Sequence, residues 1–320
     1  MSNTNEILRL FEAYRGRDFS IYELARYADT SVFLVPSKIR ALKKEGHNII
    51  SDGLSYKLDF YSDVVSKEGI MVNMEDDFEE FKIKLFKEID STNSYAKKLA
   101  LKNAQNKTVV IANSQTNGKG RMGRSFYSPA ENGIYMSIIF KTDKISENTA
   151  MITVAAATAV SKAIEKMFNL KTQIKWVNDI YINNKKVCGI LTETVSDSKG
   201  SGINVIIGIG INVKSVDSFP DELKSIAGAL DTKLAIRNKL IASILRELNE
   251  FSSFKNLKDS LSYYCEKSLV IGRNVIFEKD GEQIKAKAID IDDNANLIVE
   301  NSRGEKITLN SGEISVKYDE

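Results

Sequence analysis

The chain has few of the residues that most often carry nucleophilic or metal chemistry. Its 320 residues include one histidine (His47), two cysteines (Cys188 and Cys265), one tryptophan and three prolines. A structural zinc site needs about four histidine or cysteine ligands, and a Ser–His or Cys–His triad needs a histidine beside its nucleophile. The composition therefore argues against both. We expect free thiols, and chemistry that depends on lysine, arginine, aspartate, asparagine, backbone amides and Mg²⁺.

A large excess of one charge and a long apolar run are also missing. The net charge is +2, so a phosphate site must be local rather than a property of the whole surface. The longest apolar stretch, MITVAAATAV at 151–160, is much shorter than the ~20 residues of a membrane span. The N-terminus, MSNTNEILRL, has no apolar signal-peptide core. We predict a cytoplasmic protein with no membrane partner.

Residues 1–62 have the pattern of a winged helix-turn-helix. Apolar residues recur at helical spacing in NEILRLFEAY, and Ser20 and Glu23 form a capping box before IYELARYA. Gly46 ends a third helix, and Asp52-Gly53 predicts a hairpin within NIISDGLSYKLDF. We predict that a linker follows over 63–79, ending in the acidic sequence EDDFEE.

The remaining sequence predicts two domains, which makes the fold class α+β. Over 80–267 the strands come in consecutive groups with helices between them, which favours a mixed sheet. Over 268–320 short alternating strands separated by glycines predict an SH3-like β-barrel. The predicted central strands cover 81–89, 108–114, 134–141, 172–177, 187–195 and 203–213, and the predicted helices cover 93–103, 147–168, 235–251 and 256–267.

The loop QTNGKGRMGR at 115–124 has the G-x-G-x-x-G spacing of a dinucleotide-binding turn. Such a turn must open a helix, but RSFYSPAENG follows, and its proline and Asn-Gly turn leave no room for one. We therefore reject the dinucleotide hypothesis. The three glycines with Lys119, Arg121 and Arg124, and no acidic residue from 107 through 129, favour a loop that wraps a phosphate. The alternative is a basic surface loop.

Four further stretches place polar residues or glycines at predicted element ends or within strands. They are DSTN at 90–93, IKWVND at 174–179, NKKVCGILTE at 184–193 and VIIGIGINV at 205–213. Each is weak alone. Lys186 would by itself usually be a solvated lysine, and Gly208 and Gly210 would equally suit close packing in a strand.

Together and in this order, the loop and these stretches resemble the biotin protein ligases, specifically the bifunctional type with an N-terminal DNA-binding domain. The resemblance covers essentially the whole chain. It implies a central domain of class II synthetase-like fold that forms biotinyl-5′-AMP from biotin and ATP. It further implies transfer of biotin to a lysine of a biotin carboxyl carrier domain. It also implies repression of transcription by binding to operator DNA, and a homodimer. Mg²⁺ is implied by the ATP chemistry, with no metal site fixed by the protein alone.

The resemblance also implies site residues. Lys186 corresponds to the family lysine that bridges the biotin carboxylate and the α-phosphate, and Arg121 to the arginine that holds the adenylate. Asp179 is a hypothesis for the group that orients or deprotonates the acceptor amine. Besides Arg121 and Lys186, the implied biotin contacts are Ser91, Thr92, Asn93, Gln115, Gly118, Tyr135, Ser137, Gly189 and Leu191. The implied adenylate contacts are Gly118, Lys119, Gly120, Arg121, Met122, Gly123, Arg124, Phe126, Asn178 and Asn212.

Three site positions depart from the family pattern without removing a needed chemical group. Val177 replaces a frequent proline, Lys119 replaces a frequent arginine, and Phe126 stands where tryptophan is common and could still stack on a base. We therefore keep the ligase prediction. The alternatives are a ligand-sensing repressor whose ligase activity is secondary or lost, and a lipoate-protein ligase. The glycine-arginine loop and the C-terminal domain favour biotin over lipoate.

The DNA-binding helix departs further from the family pattern. SVFLVPSKI at 31–39 is apolar where polar residues are usual, and Pro36 predicts that the helix begins there. Residues 1–60 hold nine Lys/Arg and eight Asp/Glu, a net charge of +1. Phosphate contacts would therefore fall to Lys38, Arg40, Lys43 and Lys44. The alternative is that these four form a solvated helix face.

Overall fold

A computed structural model of the chain describes residues 2–74, 80–142, 149–196, 202–215, 217, 219–232, 234, 236–250, 257–279, 281–310 and 317–318. The N-terminal elements are α1 (Asn3–Ala13), β1 (Phe19–Ser20), α2 (Ile21–Tyr27), α3 (Val35–Lys44), β2 (Ile49–Ser51) and β3 (Ser55–Leu58). The central elements are α4 (Lys67–Met74), β4 (Lys82–Ile89), α5 (Thr92–Leu101), β5 (Thr108–Gln115), β6 (Gly133–Thr142), α6 (Thr149–Phe168), β7 (Gln173–Lys175), β8 (Asp179–Ile182), β9 (Lys185–Ser196), β10 (Ile203–Asn212), α7 (Asp221–Lys224), α8 (Arg237–Glu250) and α9 (Leu257–Glu266). The C-terminal strands are β11 (Asn274–Lys279), β12 (Glu282–Ile291), β13 (Leu297–Asn301), β14 (Lys306–Leu309) and β15 (Lys317–Tyr318).

Some predicted features fall outside the described residues. They are the acidic sequence at 75–79, the helix ends predicted at 147, 235, 251 and 256, and the last two residues of the chain.

The N-terminal domain has three helices and a three-stranded sheet in the order β1-β3-β2. The predicted capping box is confirmed, because Glu23 N–H donates to Ser20 Oγ at 3.2 Å and Ser20 N–H donates to Glu23 Oε2 at 2.8 Å. The prediction that Pro36 lies at a helix start is also confirmed, since α3 begins one residue earlier. Gly46 has φ +103, the left-handed conformation that suits glycine after a helix.

A helix, α4, lies inside the segment predicted as a linker. Its Ile70 and Met74 are buried in the same hydrophobic core as the central sheet, and the helix packs against α1 and α8. The sequence did not indicate this helix, because KEGIMVNM has no clear polar face and contains a glycine. The domain boundaries given above stay predictions.

The central domain is built on a seven-stranded sheet in the order β4-β5-β6-β10-β9-β8-β7. β4 and β5 are parallel and the other neighbours are antiparallel, so the predicted mixed sheet is confirmed. Two strands differ from the prediction. β7 covers only part of 172–177, and Asp179 begins an unpredicted four-residue strand, β8.

Helices cover both faces of this sheet. α5 packs on β5, β6, β10 and β9 from one side, where Ala96 and Ala100 contact Val110, Ile139 and Ile206. α6 and α8 lie on the other side, and α9 packs against α6. The apolar run at 151–160 lies in α6 and is buried throughout, which explains its composition. Within the described part of the chain, no helix is long and apolar enough to cross a membrane.

The C-terminal residues form a five-stranded antiparallel sheet in the order β14-β13-β12-β11-β15, as expected for the predicted SH3-like domain. Two backbone hydrogen bonds tie the connecting segment to the central sheet: Ile174 N–H donates to Lys267 O at 2.7 Å, and Leu269 N–H donates to Ile174 O at 2.8 Å. The indole N–H of Trp176 donates to Ala295 O at 2.9 Å. The C-terminal domain is thus hydrogen-bonded to the strand that precedes Asn178 and Asp179.

Candidate active site

A pocket opens on the α5 side of the central sheet. The start of α5, the β5–β6 loop and strands β8 to β10 enclose it. Its lining residues are Ser91, Thr92, Asn93, Gln115, Lys119, Gly120, Arg121, Met122, Arg124, Ser125, Phe126, Lys175, Trp176, Asn178, Asp179, Lys186, Gly189, Ile190, Leu191, Gly208, Ile209 and Gly210. Segments far apart in sequence, from DSTN to VIIGIGINV, therefore meet at one site.

The glycine-arginine loop forms a small hairpin over the pocket. Gly120 N–H donates to Arg124 O at 2.7 Å, and Phe126 N–H donates to Gly118 O at 2.9 Å. Met122 has φ 53 and Gly123 φ 73, and this reversal places Met122 63% exposed at the tip. β6 follows the loop and pairs antiparallel with β5, with no intervening crossover helix. The rejection of a dinucleotide-binding turn is confirmed.

Gly118 permits the closest approach in this loop. A Cβ there would lie 2.4 Å from Phe126 O and 2.7 Å from Ser128 Oγ. A larger residue at this position would push the two strands of the hairpin apart. The glycines thus allow the tight turn that brings Arg121 over the sheet.

Cationic side chains gather on one side of the pocket. Arg121 donates through Nη1 to Asn178 Oδ1 at 3.1 Å, and Lys186 Nζ lies 2.8 Å from Asp179 Oδ1. Burial lowers the pKa of Arg121, and the nearby Asp179 carboxylate opposes that shift. Asn178 is fixed from below, because its Nδ2 donates to Ile190 O at 2.9 Å. These groups could hold an anion that carries several phosphate oxygens.

Lys175 is a further basic residue of the pocket lining, and it was not predicted from the sequence. Burial lowers the pKa of Lys175. The Asp179 carboxylate opposes this shift, and the positive charges of Lys186 and Arg124 lower the pKa further. The lysine of KW-x-ND was a signal in the sequence, but its position at the end of β7 did not reveal that it lines the pocket. Trp176, the next residue, was also missed as a lining residue.

Uncharged polar groups form the opposite wall. Thr92 N–H donates to Gln115 Oε1 at 2.8 Å, and the Thr92 hydroxyl lies 3.1 Å from the same oxygen. Gln115 Nε2 donates to Ser128 Oγ at 2.8 Å, which holds the amide in place. Ser91 caps α5, since Ser94 N–H donates to its Oγ at 3.4 Å. The predicted polar residues of DSTN and Gln115 therefore come together.

Glycines form the floor between these walls. A Cβ on Gly208 would lie 2.2 Å from Asn93 Oδ1, and one on Gly210 would lie 2.6 Å from Phe126 Cε1. A Cβ on Gly189 would lie 3.3 Å from Lys186 Nζ. The glycines of K-x-x-GIL-x-E and G-x-G-I-N thus leave space for side chains from other segments to approach the sheet.

Five predicted site residues do not line this pocket. Gly118 and Gly123 lie in the loop beside it, and three others lie behind its surface. The Tyr135 hydroxyl donates to Pro129 O at 3.0 Å, and burial raises the pKa of this phenol. Ser137 is fully buried beneath Thr92 and Asn93. Asn212 Nδ2 donates to Gly228 O at 2.9 Å and is away from the lining residues. Each of the three supports residues around the site from within the sheet.

The basic residues predicted to contact DNA lie on α3. Arg40, Lys43 and Lys44 are exposed and Lys38 is half-buried. Phe33, just before this helix, is 93% exposed.

Sequence comparisons place the chain among known proteins. The profile of the Biotin/lipoate A/B protein ligase family matches residues 85–212, and that of the Biotin protein ligase C terminal domain matches residues 270–317. A bifunctional ligase/repressor BirA of Bacillus spizizenii is 38% identical over 227 residues, which cover 68% of this chain and 69% of the relative. The chain belongs to the biotin protein ligase family.

Other biotin protein ligases agree with this membership. A biotin–[acetyl-CoA-carboxylase] ligase of Mycobacterium tuberculosis is 30% identical over 64% of this chain and 77% of its own length. The structure of a biotin protein ligase from Aquifex aeolicus in complex with biotin and ATP superposes with a TM-score of 0.65 at 27% identity. The superposition covers 74% of this chain and 99% of that protein. The predicted ligase family and its fold are confirmed.

Proposed function

We propose that the pocket activates biotin with ATP, forming biotinyl-5′-AMP, and then transfers biotin to a lysine of a biotin carboxyl carrier domain. One observation carries this proposal: a phosphate-suited cluster at Arg121 and Lys186 shares a single pocket with an uncharged polar wall at Thr92, Asn93 and Gln115. Such a pocket matches a molecule with a polar neutral ring at one end and an anion at the other. The structure of the Aquifex aeolicus relative is a complex with biotin and ATP.

In the first step, an oxygen of the biotin carboxylate attacks the α-phosphorus of ATP. The bond to the bridging oxygen breaks and pyrophosphate leaves with its electron pair. No protein nucleophile takes part, so catalysis consists of positioning and charge stabilisation. Lys186 would bridge the carboxylate and the α-phosphate, and Arg121, held by Asn178, would bind the adenylate phosphate.

In the second step, the amine of the acceptor lysine attacks the acyl carbon of the adenylate and AMP leaves. The amine must be neutral to attack, and the resulting ammonium must lose a proton. Asp179 is the carboxylate within the described pocket lining. Its Oδ1 is paired with Lys186, so we propose that it first holds Lys186 and then orients the incoming amine.

Mg²⁺ would accompany the ATP polyphosphate. In the described residues there is no cluster of three or more histidine, cysteine or acidic side chains that could hold a metal. Mg²⁺ is commonly bound by one or two carboxylates together with substrate phosphates. The pocket fits that arrangement, with Asp179 as the one carboxylate in reach among its described lining residues. Bound Mg²⁺ would neutralise charge on the leaving pyrophosphate.

Pyrophosphate exchange tests the first step directly. Purified full-length protein is incubated with ATP, MgCl₂ and labelled pyrophosphate, with biotin, with lipoate or with neither. We expect label to enter ATP only in the presence of biotin. Exchange with lipoate instead of biotin would indicate a lipoate-protein ligase, and no exchange with either would refute the proposal.

We further propose that the chain represses transcription by binding operator DNA through its N-terminal domain, as a homodimer in the cytoplasm. The Bacillus spizizenii relative is a bifunctional ligase/repressor. The three-helix domain with its hairpin, and the exposed basic residues of α3, support DNA binding. Selection of binding sequences from a random duplex library in the presence of biotin and ATP tests this second activity, and failure to enrich any sequence would refute it.

A further inference from the structure

Glu193 lies on the pocket side of β9 and is reached by two residues of α5. Side chains alternate along a strand, so Glu193 shares a face with Gly189 and Leu191, which line the pocket. Its Oε2 accepts a hydrogen bond from Asn93 Nδ2 at 2.7 Å. Its Oε1 pairs with Lys97 Nζ, one helical turn further along α5.

The carboxylate determines which way the Asn93 amide faces. An ionised carboxylate can only accept hydrogen bonds, so Asn93 must turn its NH₂ group toward Glu193. Its Oδ1 then faces the other way, where the Ser137 hydroxyl lies 2.7 Å from it. Without Glu193, the amide could rotate by half a turn, because its two ends have almost the same shape.

The same orientation presents an acceptor to the pocket. Asn93 Oδ1 packs directly over Gly208, at 2.2 Å from where a Cβ would stand, and Gly208 lines the pocket floor. An amide oxygen has two lone pairs, and Ser137 uses one of them. The second can accept an N–H from a bound ligand, and the ureido ring of biotin carries two such donors.

The polar wall continues from Asn93 to Gln115. Ser137 Oγ lies 2.8 Å from Thr92 Oγ1, and Thr92 contacts Gln115 Oε1. Once Asn93 accepts from Ser137, the Thr92 hydroxyl hydrogen is left for Ser137 or for Gln115. Glu193 therefore determines, at one end of this hydrogen-bonded chain, which groups donate and which groups accept.

We propose that Glu193 is a positioning residue that fixes the hydrogen-bonding polarity of the biotin site through Asn93. This inference rests on the proposed binding of biotin in this pocket. The ion pair with Lys97 is partly solvent-exposed, with side chains 36% and 27% exposed, and exposed pairs contribute little to stability. The hydrogen bond to Asn93 is the contact that matters for binding.

Three variants separate the effect of the Glu193–Asn93 hydrogen bond from that of the Glu193–Lys97 ion pair. Glu193→Met removes the acceptor, Glu193→Gln keeps one acceptor oxygen for Asn93, and Lys97→Met removes the cation alone. Biotin affinity is measured by calorimetry, and KM and kcat are measured by pyrophosphate exchange. For Glu193→Met we expect the biotin Kd and KM to rise about tenfold or more, the effect of losing one buried hydrogen-bond partner. We expect kcat at saturating biotin, the KM for ATP and the melting temperature to change little.

The other two variants serve as controls. Glu193→Gln and Lys97→Met should each keep a biotin Kd within about threefold of the wild type. A Glu193→Met protein with wild-type biotin affinity would overturn the inference, as would a Lys97→Met protein that loses as much affinity. If methionine prevents folding, Glu193→Ala is tested in the same way. Failure of the wild-type protein to bind biotin at all would instead count against the proposed function.

Discussion

Lys186 Nζ and Asp179 Oδ1 lie 2.8 Å apart on adjacent strands, β9 and β8. The lysine side chain is 33% exposed and the aspartate side chain 21% exposed, so the pair faces the pocket without being sealed from solvent. The pairing keeps Lys186 in one position before substrate arrives. It also means that an incoming phosphate must compete with Asp179 for the ammonium group.

Replacing Lys186 with methionine should abolish most adenylate formation. The variant keeps the length of the side chain but removes the charge that stabilises the α-phosphorus transition state. We expect kcat for biotin-dependent pyrophosphate exchange to fall about 10²–10³-fold. Lys185→Met is the matched control, because Lys185 is exposed and its Nζ donates to Lys224 O at 3.2 Å, away from the pocket lining. Equal loss in both variants would contradict the proposed role.

Asp179→Asn should separate the two half-reactions. Asparagine cannot act as a base and holds Lys186 less strongly, so transfer from preformed biotinyl-5′-AMP to a carrier domain should slow. We expect a loss of about 10²-fold in transfer and a smaller loss in pyrophosphate exchange. A variant that biotinylates the carrier at the wild-type rate from preformed adenylate would eliminate Asp179 as the group that orients or deprotonates the amine.

Local sequence signals predicted the parts of this molecule that local chemistry determines. Ser20 and Glu23 are three residues apart, and their capping box formed as expected. Contacts between distant residues were not predictable in the same way. Glu193 meets Asn93 across 100 positions and Trp176 meets Ala295 across 119. Nothing in either neighbourhood indicates the other partner, so the residues that orient the site became visible only in three dimensions.

His47 should make stability fall with acidification. It is 3% exposed, and burial, followed by the charge of Arg15, lowers its pKa from 6.5 to about 4. Between these values the unfolded chain binds more protons than the folded one, so the free energy of unfolding falls as pH drops from about 6.5 to about 4. The full shift corresponds to roughly 3 kcal/mol.

Urea unfolding of the wild type and His47→Gln across this pH range tests the effect. Burial raises the pKa of Glu12, which gives a contribution of opposite sign in the same region. The difference between the two proteins removes that contribution. We expect the free energy of unfolding of the wild type, relative to that of His47→Gln, to decrease as pH falls. Unfolding curves that stay parallel at every pH would show that His47 does not titrate in this way.

Arg237 should hold the segment that follows the N-terminal domain against the central domain. Its Nε donates to Asp63 Oδ2 at 2.9 Å, with side chains 2% and 6% exposed, and Nη2 donates to Asp63 O. Arg237→Met leaves the Asp63 carboxylate buried without its cation, which costs about 3–5 kcal/mol. We expect a lower melting temperature and faster proteolysis near residue 63. Lys239→Met, on the exposed face of the same helix, should change neither measurement.

DNA recognition should depend on one exposed stripe that begins just before α3 and continues along it. Phe33 precedes the helix, and Ser37, Arg40 and Lys44 lie at helical spacing on its side away from the buried core of the domain. All four residues are exposed. Arg40 can donate two hydrogen bonds to a guanine edge, Lys44 can contact a phosphate, and Phe33 can contact a thymine methyl group. The stripe therefore combines base-reading and backbone-binding groups.

Selection from a random duplex library, with biotin, ATP and the full-length wild type present, yields a DNA probe without assuming any operator sequence. On the selected duplexes we expect Arg40→Ala to lose about 1–3 kcal/mol of binding and to relax preference at one base pair. Lys44→Ala should weaken binding to all sequences. It should also reduce, by about 1, the steepness with which the logarithm of the binding constant falls with the logarithm of salt concentration. Lys98→Ala, a 67% exposed lysine of the central domain, is the control. If no sequence is enriched at low salt, the repressor proposal fails. If sequences are enriched but Arg40→Ala binds them as the wild type does, another surface reads the DNA.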